Sequence, residues 1–117
     1  MSKPVRTCEK STQLAEAVKI MDENNIGVLA VAVDNKPIGV VTERDILRRV
    51  VAKNLNINNL TVEDIMTKNP VTIPHDSSIL EVTRLMSENN FRRLFVVKNH
   101  KLVGLVTAKD VIEVLSA

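Results

Sequence analysis

The sequence predicts an α/β (α+β) fold in which two β-α-β-β-α repeats pack with pseudo-two-fold symmetry. Two observations carry that expectation. First, Thr7 to Val50 aligns with Thr72 to Leu115 without a gap, and thirteen of the 44 aligned pairs are identical. The identities gather in Met21-x-Glu23-Asn24-Asn25 against Met86-x-Glu88-Asn89-Asn90, and in Gly39-x-Val41-Thr42-x-x-Asp45 against Gly104-x-Val106-Thr107-x-x-Asp110. Second, each copy passes through the same succession of hydrophobic periods, from strand to helix to two strands to helix. A repeat of about 45 residues is small for independent stability. The halves, 1–58 and 59–117, are therefore expected to form one intertwined module.

The elements follow in order. A short strand is expected near Val5 to Thr7, with its counterpart at Val71 to Ile73. The first helix runs from Gln13 to Asn24, because Leu14, Ala17, Val18 and Met21 recur on one helical face. Its counterpart runs from Ile79 to Glu88, with Ile79, Val82, Leu85 and Met86 inward and Ser78-x-x-Glu81 as a capping box. The Asn-Asn pairs suit the helix ends, since Asn tolerates the left-handed cap conformation. Val28 to Val33 and Ile38 to Thr42 are rich in β-branched residues and flank the turn signal Asp34-Asn35-Lys36-Pro37. Leu94 to Lys98 and Leu102 to Thr107 repeat this around Asn99-His100. Each pair is expected to be a hairpin with both faces largely covered. Closing helices are expected over Glu43 to Lys53 and Ala108 to Leu115. Between the repeats, Asn54 to Asn59 reads as a polar connector. Thr61 to Ile65 reads as one helical turn capped by Thr61 and Asp64.

Composition narrows the function. A formal net charge of +2 is too weak to imply a nucleic-acid partner. Phe91 and Phe95 are the only aromatics, so a base-stacking platform is lacking. Arg44, Arg48, Arg49 and Lys53 lie along one helix, but Glu43 and Asp45 interrupt them. The longest apolar run, Val28 to Val33, is far below the roughly 20 residues that cross a bilayer. No secretory signal is visible, and the single cysteine, Cys8, has neither an internal disulfide partner nor metal-type spacing. These features lead us to expect a cytoplasmic protein with Cys8 acting as a small apolar residue. His75 and His100 lie apart in turn-like contexts, so no metal site is expected. Neither a Gly-rich phosphate loop nor a nucleophile with a plausible base can be assembled, and the chain is expected not to be an enzyme.

The residues that could carry binding chemistry are Thr42-x-x-Asp45 and Thr107-x-x-Asp110. Each lies where a strand runs into a helix, a place where backbone N–H groups favour anions. T-x-x-D is also a capping box, which needs no ligand. The residues alone leave both readings open. In their favour as a site, the motif recurs at the same point of both repeats, three residues after Gly39 and Gly104.

Gly-hydrophobic-hydrophobic-Thr-x-x-Asp closing a tandem β-α-β-β-α unit resembles the cystathionine-β-synthase-type (CBS) domain pair, also called a Bateman module. The linker Val62-Glu63-Asp64-Ile65-Met66-Thr67, followed by Asn69-Pro70-Val71-Thr72, is similar too. The resemblance covers nearly the whole chain. It implies a regulatory module that senses adenosine nucleotides (AMP, ADP, ATP) or a related adenosyl ligand such as S-adenosylmethionine in a cleft between the repeats, with no cofactor required. The alternative it leaves is a ligand-free structural or dimerisation module that regulates a partner protein. By this resemblance Asp45 and Asp110 accept from ribose hydroxyls, and Thr42 and Thr107 reach ribose or phosphate oxygens. Arg92 and Arg93 face phosphate, helped by Arg44 and Lys109. Thr67, Val71 and Thr72, and Val5 to Thr7 in the first repeat, form an adenine slot. The first repeat has Gly27-Val28 where the second has Arg92-Arg93, so the two sites are expected to be unequal. A homodimer is expected, built on the helical face bearing Ile46, Leu47 and Val50, together with an effector protein as partner and no membrane.

Overall fold

The computed structural model describes residues 5–116. The chain divides into two compact units. The first is Arg6–Pro70, and the second runs from Val71 onward and takes in Val5.

In the first unit the sheet order is β1 (Thr7–Cys8), β2 (Val28–Val33), β3 (Lys36–Thr42), β4 (Thr67–Lys68). Strand β1 runs parallel to β2, and the other pairs are antiparallel. Helix α1 (Leu14–Glu23) buries Leu14, Ala17 and Met21, the expected face. These meet Leu29, Val31 and Val41 from the sheet. The linker belongs to the same core through Val62, Ile65 and Met66. It is tied down by main-chain bonds: the Leu14 N–H donates to the Leu60 carbonyl and the Val62 N–H to the Thr12 carbonyl, both at 2.9 Å. Helix α3 (Val62–Ile65) starts where expected, and the Thr61 N–H donates to Asp64 Oδ2 at 2.8 Å. Strand β4 is an addition to the sequence reading. Two residues are too short to leave a periodic signal.

Helix α2 (Glu43–Ile46) is α-helical for one turn only, instead of continuing to Lys53. Leu47–Val51 is a π-turn, closed by the Ala52 N–H on the Leu47 carbonyl at 2.8 Å. Val50 is 2% exposed there and does not belong to an outward face with Leu47. Its aligned partner Leu115, in a regular helix, is 66% exposed. A short 3₁₀ turn, Ile57–Asn59, interrupts the polar connector.

In the second unit the sheet order is β5 (Thr72–Pro74), β6 (Arg93–Lys98), β7 (Lys101–Thr107), with β5 parallel to β6. Strand β6 is central, and its consecutive residues Leu94, Phe95 and Val96 are all buried. On the edge strand β7, Val103 is 48% exposed, so coverage of both faces holds for the centre of the sheet and not for its margin. Helices α4 (Ile79–Asn89) and α5 (Ala108–Ser116) supply Val82, Met86 and Val111 to the core. Ile79 is 43% exposed and is not the inward residue the spacing suggests. Its aligned partner Leu14 is buried in the unit that holds the linker. In the Ser78 cap the Glu81 N–H donates to Ser78 Oγ at 3.1 Å.

Both hairpins close through two left-handed residues, Asp34 and Asn35 (φ 51° and 64°) and Asn99 and His100 (φ 52° and 67°). That is the tight turn whose twist matches the strands. Lys36 and Pro37 consequently belong to β3 and not to the turn. Asn25 and Asn90 take left-handed conformations at the helix ends, at φ 53° and 58°.

Candidate functional site

Both T-x-x-D motifs are complete capping boxes. In the first unit the Asp45 N–H donates to Thr42 Oγ1 and the Thr42 N–H donates to Asp45 Oδ2, each at 3.1 Å. In the second the Asp110 N–H donates to Thr107 Oγ1 at 3.1 Å and the Thr107 N–H to Asp110 Oδ2 at 2.9 Å. The cap holds each carboxylate in a fixed orientation through Oδ2. An ionised carboxylate has about four acceptor positions, so the cap leaves most of its accepting capacity available. All four side chains are partly exposed. Capping and ligand reading are thus compatible in the same residues.

The surroundings of the two carboxylates differ. Arg49 Nε lies 3.9 Å from Asp45 Oδ1, and Arg49 Nη1 donates to the Ile65 carbonyl at 2.7 Å. The aligned residue in the second unit is Val114, which carries no charge. Asp110 instead borders a cavity of about 180 Å³ lined by Ile73, Pro74, Ser77, Ile79, Val82, Val106, Val111 and Val114. The equivalent positions of the first unit face the linker, whose carbonyls and N–H groups bond to Thr12, Leu14 and Arg49.

The basic residues take defined places. The Ala108 N–H donates to the Arg92 carbonyl at 2.9 Å, and Arg93 sits opposite Thr107 in the strand register. Arg92 and Arg93 therefore enter β6 beside the second motif, with exposed side chains. Lys109 and Arg44 are exposed within their motifs. Val71 and Thr72 lead along β5 beside Phe95, whose N–H donates to the Val71 carbonyl at 3.0 Å. Thr67 belongs to the first unit, where it pairs with Val40 on β3, while Thr7 lies on the opposite edge of the same sheet. Thr7 and Thr67 are not brought together.

One feature escaped the sequence reading. In the first unit the Glu43 N–H donates to the Gly27 carbonyl at 3.1 Å, the counterpart of the Ala108–Arg92 bond. The Glu43 carboxylate then folds back over Gly27: a Cβ built there would stand 2.5 Å from Glu43 Oε1. The aligned exchange of Glu43 for Ala108 was visible in the sequence, but its meaning required the strand register. Glu43 also lines a cavity of about 330 Å³ together with Val18, Met21, Asp22, Asn25, Ile26, Ile46 and Leu47. Among the described residues no cluster of three or more His, Cys, Asp or Glu side chains could hold a metal, and no helix is long and apolar enough to cross a membrane.

Comparison with known proteins agrees with the fold. The family model described as "CBS domain" matches residues 1–52 and 62–117. An uncharacterised protein of Methanocaldococcus jannaschii is 45% identical over 114 residues, covering 97% of this chain and 59% of its own length. The crystal structure of an uncharacterised conserved protein from Pyrococcus horikoshii superposes with a TM-score of 0.85 at 32% identity, covering 100% of this chain and 89% of that one. The CBS domain pair of the protein MJ0100, crystallised in complex with 5′-methylthioadenosine and S-adenosyl-L-methionine, gives a TM-score of 0.82 at 32% identity, with coverage of 97% and 93%. The chain spans 49%, 75%, 53% and 59% of the length of four of the curated relatives it matches, and 18% to 21% of three longer ones.

Proposed function

The chain belongs to the CBS-domain family, and from that premise we propose that it is a regulatory module binding adenosine nucleotides or a related adenosyl compound, with unequal sites in its two repeats. The observation that carries this reading is the setting of Asp110. A carboxylate held by its cap borders an apolar cavity, and a pair of arginines enters the adjacent strand. Asp110 has acceptor capacity for both ribose hydroxyls, and each charge-assisted bond is worth about 1.5–3 kcal/mol. The cavity of about 180 Å³ compares with the roughly 150 Å³ that accommodates benzene in an apolar core. It suits a heterocycle and is too small for a whole nucleotide. Arg92 and Arg93 can fork onto phosphate oxygens, with Lys109 and Thr107 assisting. Asp45, Thr42 and Arg44 serve the same roles in the first repeat. A 32%-identical CBS pair with two adenosyl compounds bound supports the ligand class.

Regulation requires that the ligand distinguish two states. Exposed apolar residues, Leu47 and Val51 on the first unit and, separately, Ile112 and Leu115 on the second, are candidates for homodimer contacts. An effector protein would then read the assembly. Calorimetric titration with AMP, ADP, ATP and S-adenosylmethionine tests the reading. We expect two unequal affinities, the tighter phosphate binding vanishing in an Arg92→Ala, Arg93→Ala variant. Equal affinities unchanged in that variant would reject it.

A scaffold reading has one observation of its own. Both T-x-x-D motifs are satisfied as caps without any ligand. A thermal-shift series separates the two, because a ligand at 100 times its Kd stabilises by about 2.7 kcal/mol. No shift with any adenosyl compound favours the scaffold.

A further inference from the structure

We infer that the apolar cavity beside Asp110 is a docking groove for a partner protein's segment patterned like this chain's own linker: apolar-x-apolar-x-x-apolar, followed by a basic residue. The inference goes beyond the adenosyl reading and stands without it. The other repeat shows the occupant in place. In the first unit Val62 and Ile65 share one core with Leu14, Ala17 and Val41, and Leu60 and Ile46 pack against it. The residues aligned with Leu14, Ala17, Val41 and Ile46 are Ile79, Val82, Val106 and Val111, and all four line the cavity of about 180 Å³ in the second unit. The berth that the linker fills in one repeat is thus open in the other. Roughly 150 Å³ accommodates benzene, so the cavity has room for aliphatic side chains whose backbone stays at its mouth.

Backbone groups and exposure point the same way. The linker is held with Thr61 opposite Gln13, the Leu14 N–H on the Leu60 carbonyl and the Val62 N–H on the Thr12 carbonyl. The counterparts in the second unit, the Ile79 N–H and the Ser77 carbonyl, have no main-chain partner among the described residues. Ile79 is 43% exposed where Leu14 is fully buried, and Val114 beside it in the cavity lining is 57% exposed. A docked segment covers that apolar surface and satisfies both main-chain groups. The basic residue follows from charge. Arg49 stands beside Asp45 and donates to the Ile65 carbonyl, at the end of the linker's helical turn. Its aligned residue is Val114, so the guest supplies the cation for Asp110 and for its own last carbonyl. A heterocycle and a docked side chain exclude one another from this cavity, which gives an adenosyl ligand two states to distinguish.

The test uses the intact chain and two end-blocked peptides, NLTVEDIM, which copies Asn59 to Met66, and NLTVEDIR. Each is titrated to millimolar concentration while backbone amide NMR signals are followed. Saturable shifts are expected at Ile79 and Val111, and none at Leu14 and Ile46, whose berth is filled. The arginine peptide should bind about twofold to fivefold tighter at low salt, the gain of one partly exposed ion pair, and added salt should erase the difference. Ile79→Glu should weaken both peptides about tenfold or more, because it removes an apolar contact from the groove; an acid at the first helical position suits the helix itself. Val114→Arg places a cation where the first unit has one and should abolish the preference for the arginine peptide, a readout independent of the Ile79 variant. Shifts absent from Ile79 and Val111, equally present at Leu14, or unmoved by Ile79→Glu overturn the inference. Equal binding of the two peptides by the parent chain at low salt overturns it as well.

Discussion

Arg49 donates from Nη1 to the main-chain carbonyl of Ile65, 2.7 Å away and sixteen residues along the chain. One guanidinium thereby fastens the linker to the segment that carries Asp45, whose Oδ1 lies 3.9 Å from Nε. Nothing equivalent exists at Val114. The two motifs share a local design while their carboxylates sit in different fields.

Arg49→Ala is expected to destabilise the chain by about 1–2 kcal/mol. A charged hydrogen bond contributes about 1.5–3 kcal/mol, and the side chain here is 44% exposed and screened. Arg49→Lys should recover only part of the loss, since an ammonium cannot address both partners with a planar fork. Denaturant unfolding measures both variants.

Thr42→Ala and Thr107→Ala should each cost about 1 kcal/mol through loss of the cap. The serine variants should be close to neutral, because a hydroxyl oxygen remains to accept from the aspartate N–H. Thermal melts distinguish the pairs. If the alanine variants melted like the parent, the caps would contribute nothing.

Gly39→Ala should destabilise by about 1–3 kcal/mol, because a Cβ there meets the buried Met66 side chain. Truncating Met66 to alanine in that background should cost less than it does in the parent chain. A double-mutant cycle reads this coupling. Additive losses would mean that the two side chains do not compete for the space.

Arg92→Ala with Arg93→Ala should leave stability within about 0.5 kcal/mol, since both side chains are exposed. Nucleotide affinity should fall about tenfold or more, with a weaker dependence on salt than in the parent. Parallel melts and titrations keep the two effects apart.

Burial pushes the Cys8 thiol above its ordinary value of 9.0, and a hydrogen bond with Thr12 draws it partly back. The folded pKa is raised, so the associated stability is fully present below pH 9.0 and is lost as the pH climbs through the folded value. Iodoacetamide should label Cys8 more slowly in the folded chain than in urea at pH 8. The rate should rise with pH along a curve displaced upward from the unfolded one.

Much of the fold was legible because it is written in short-range patterns. The helix at Leu14–Glu23 follows from one apolar stripe. The caps follow from residues three apart, and the left-handed turns follow from Asn and Asp at the strand ends. These interactions close within a few residues, so their spacing survives in the sequence. The T-x-x-D motifs were legible for the same reason, aided by duplication.

The sequence by itself therefore determined a doubled α/β unit, its caps and turns, and the residue types at each strand-to-helix junction. Tertiary structure decided what surrounds them. The linker joined the first core through Val62, Ile65 and Met66, covering Leu14 while leaving its partner Ile79 exposed. The π-turn at Leu47–Val51 put Val50 in the core, and the strand register laid Glu43 over Gly27. Each of these outcomes depends on which apolar surface or backbone group a distant segment finds available. That competition is settled by packing across the chain, and no local spacing encodes it.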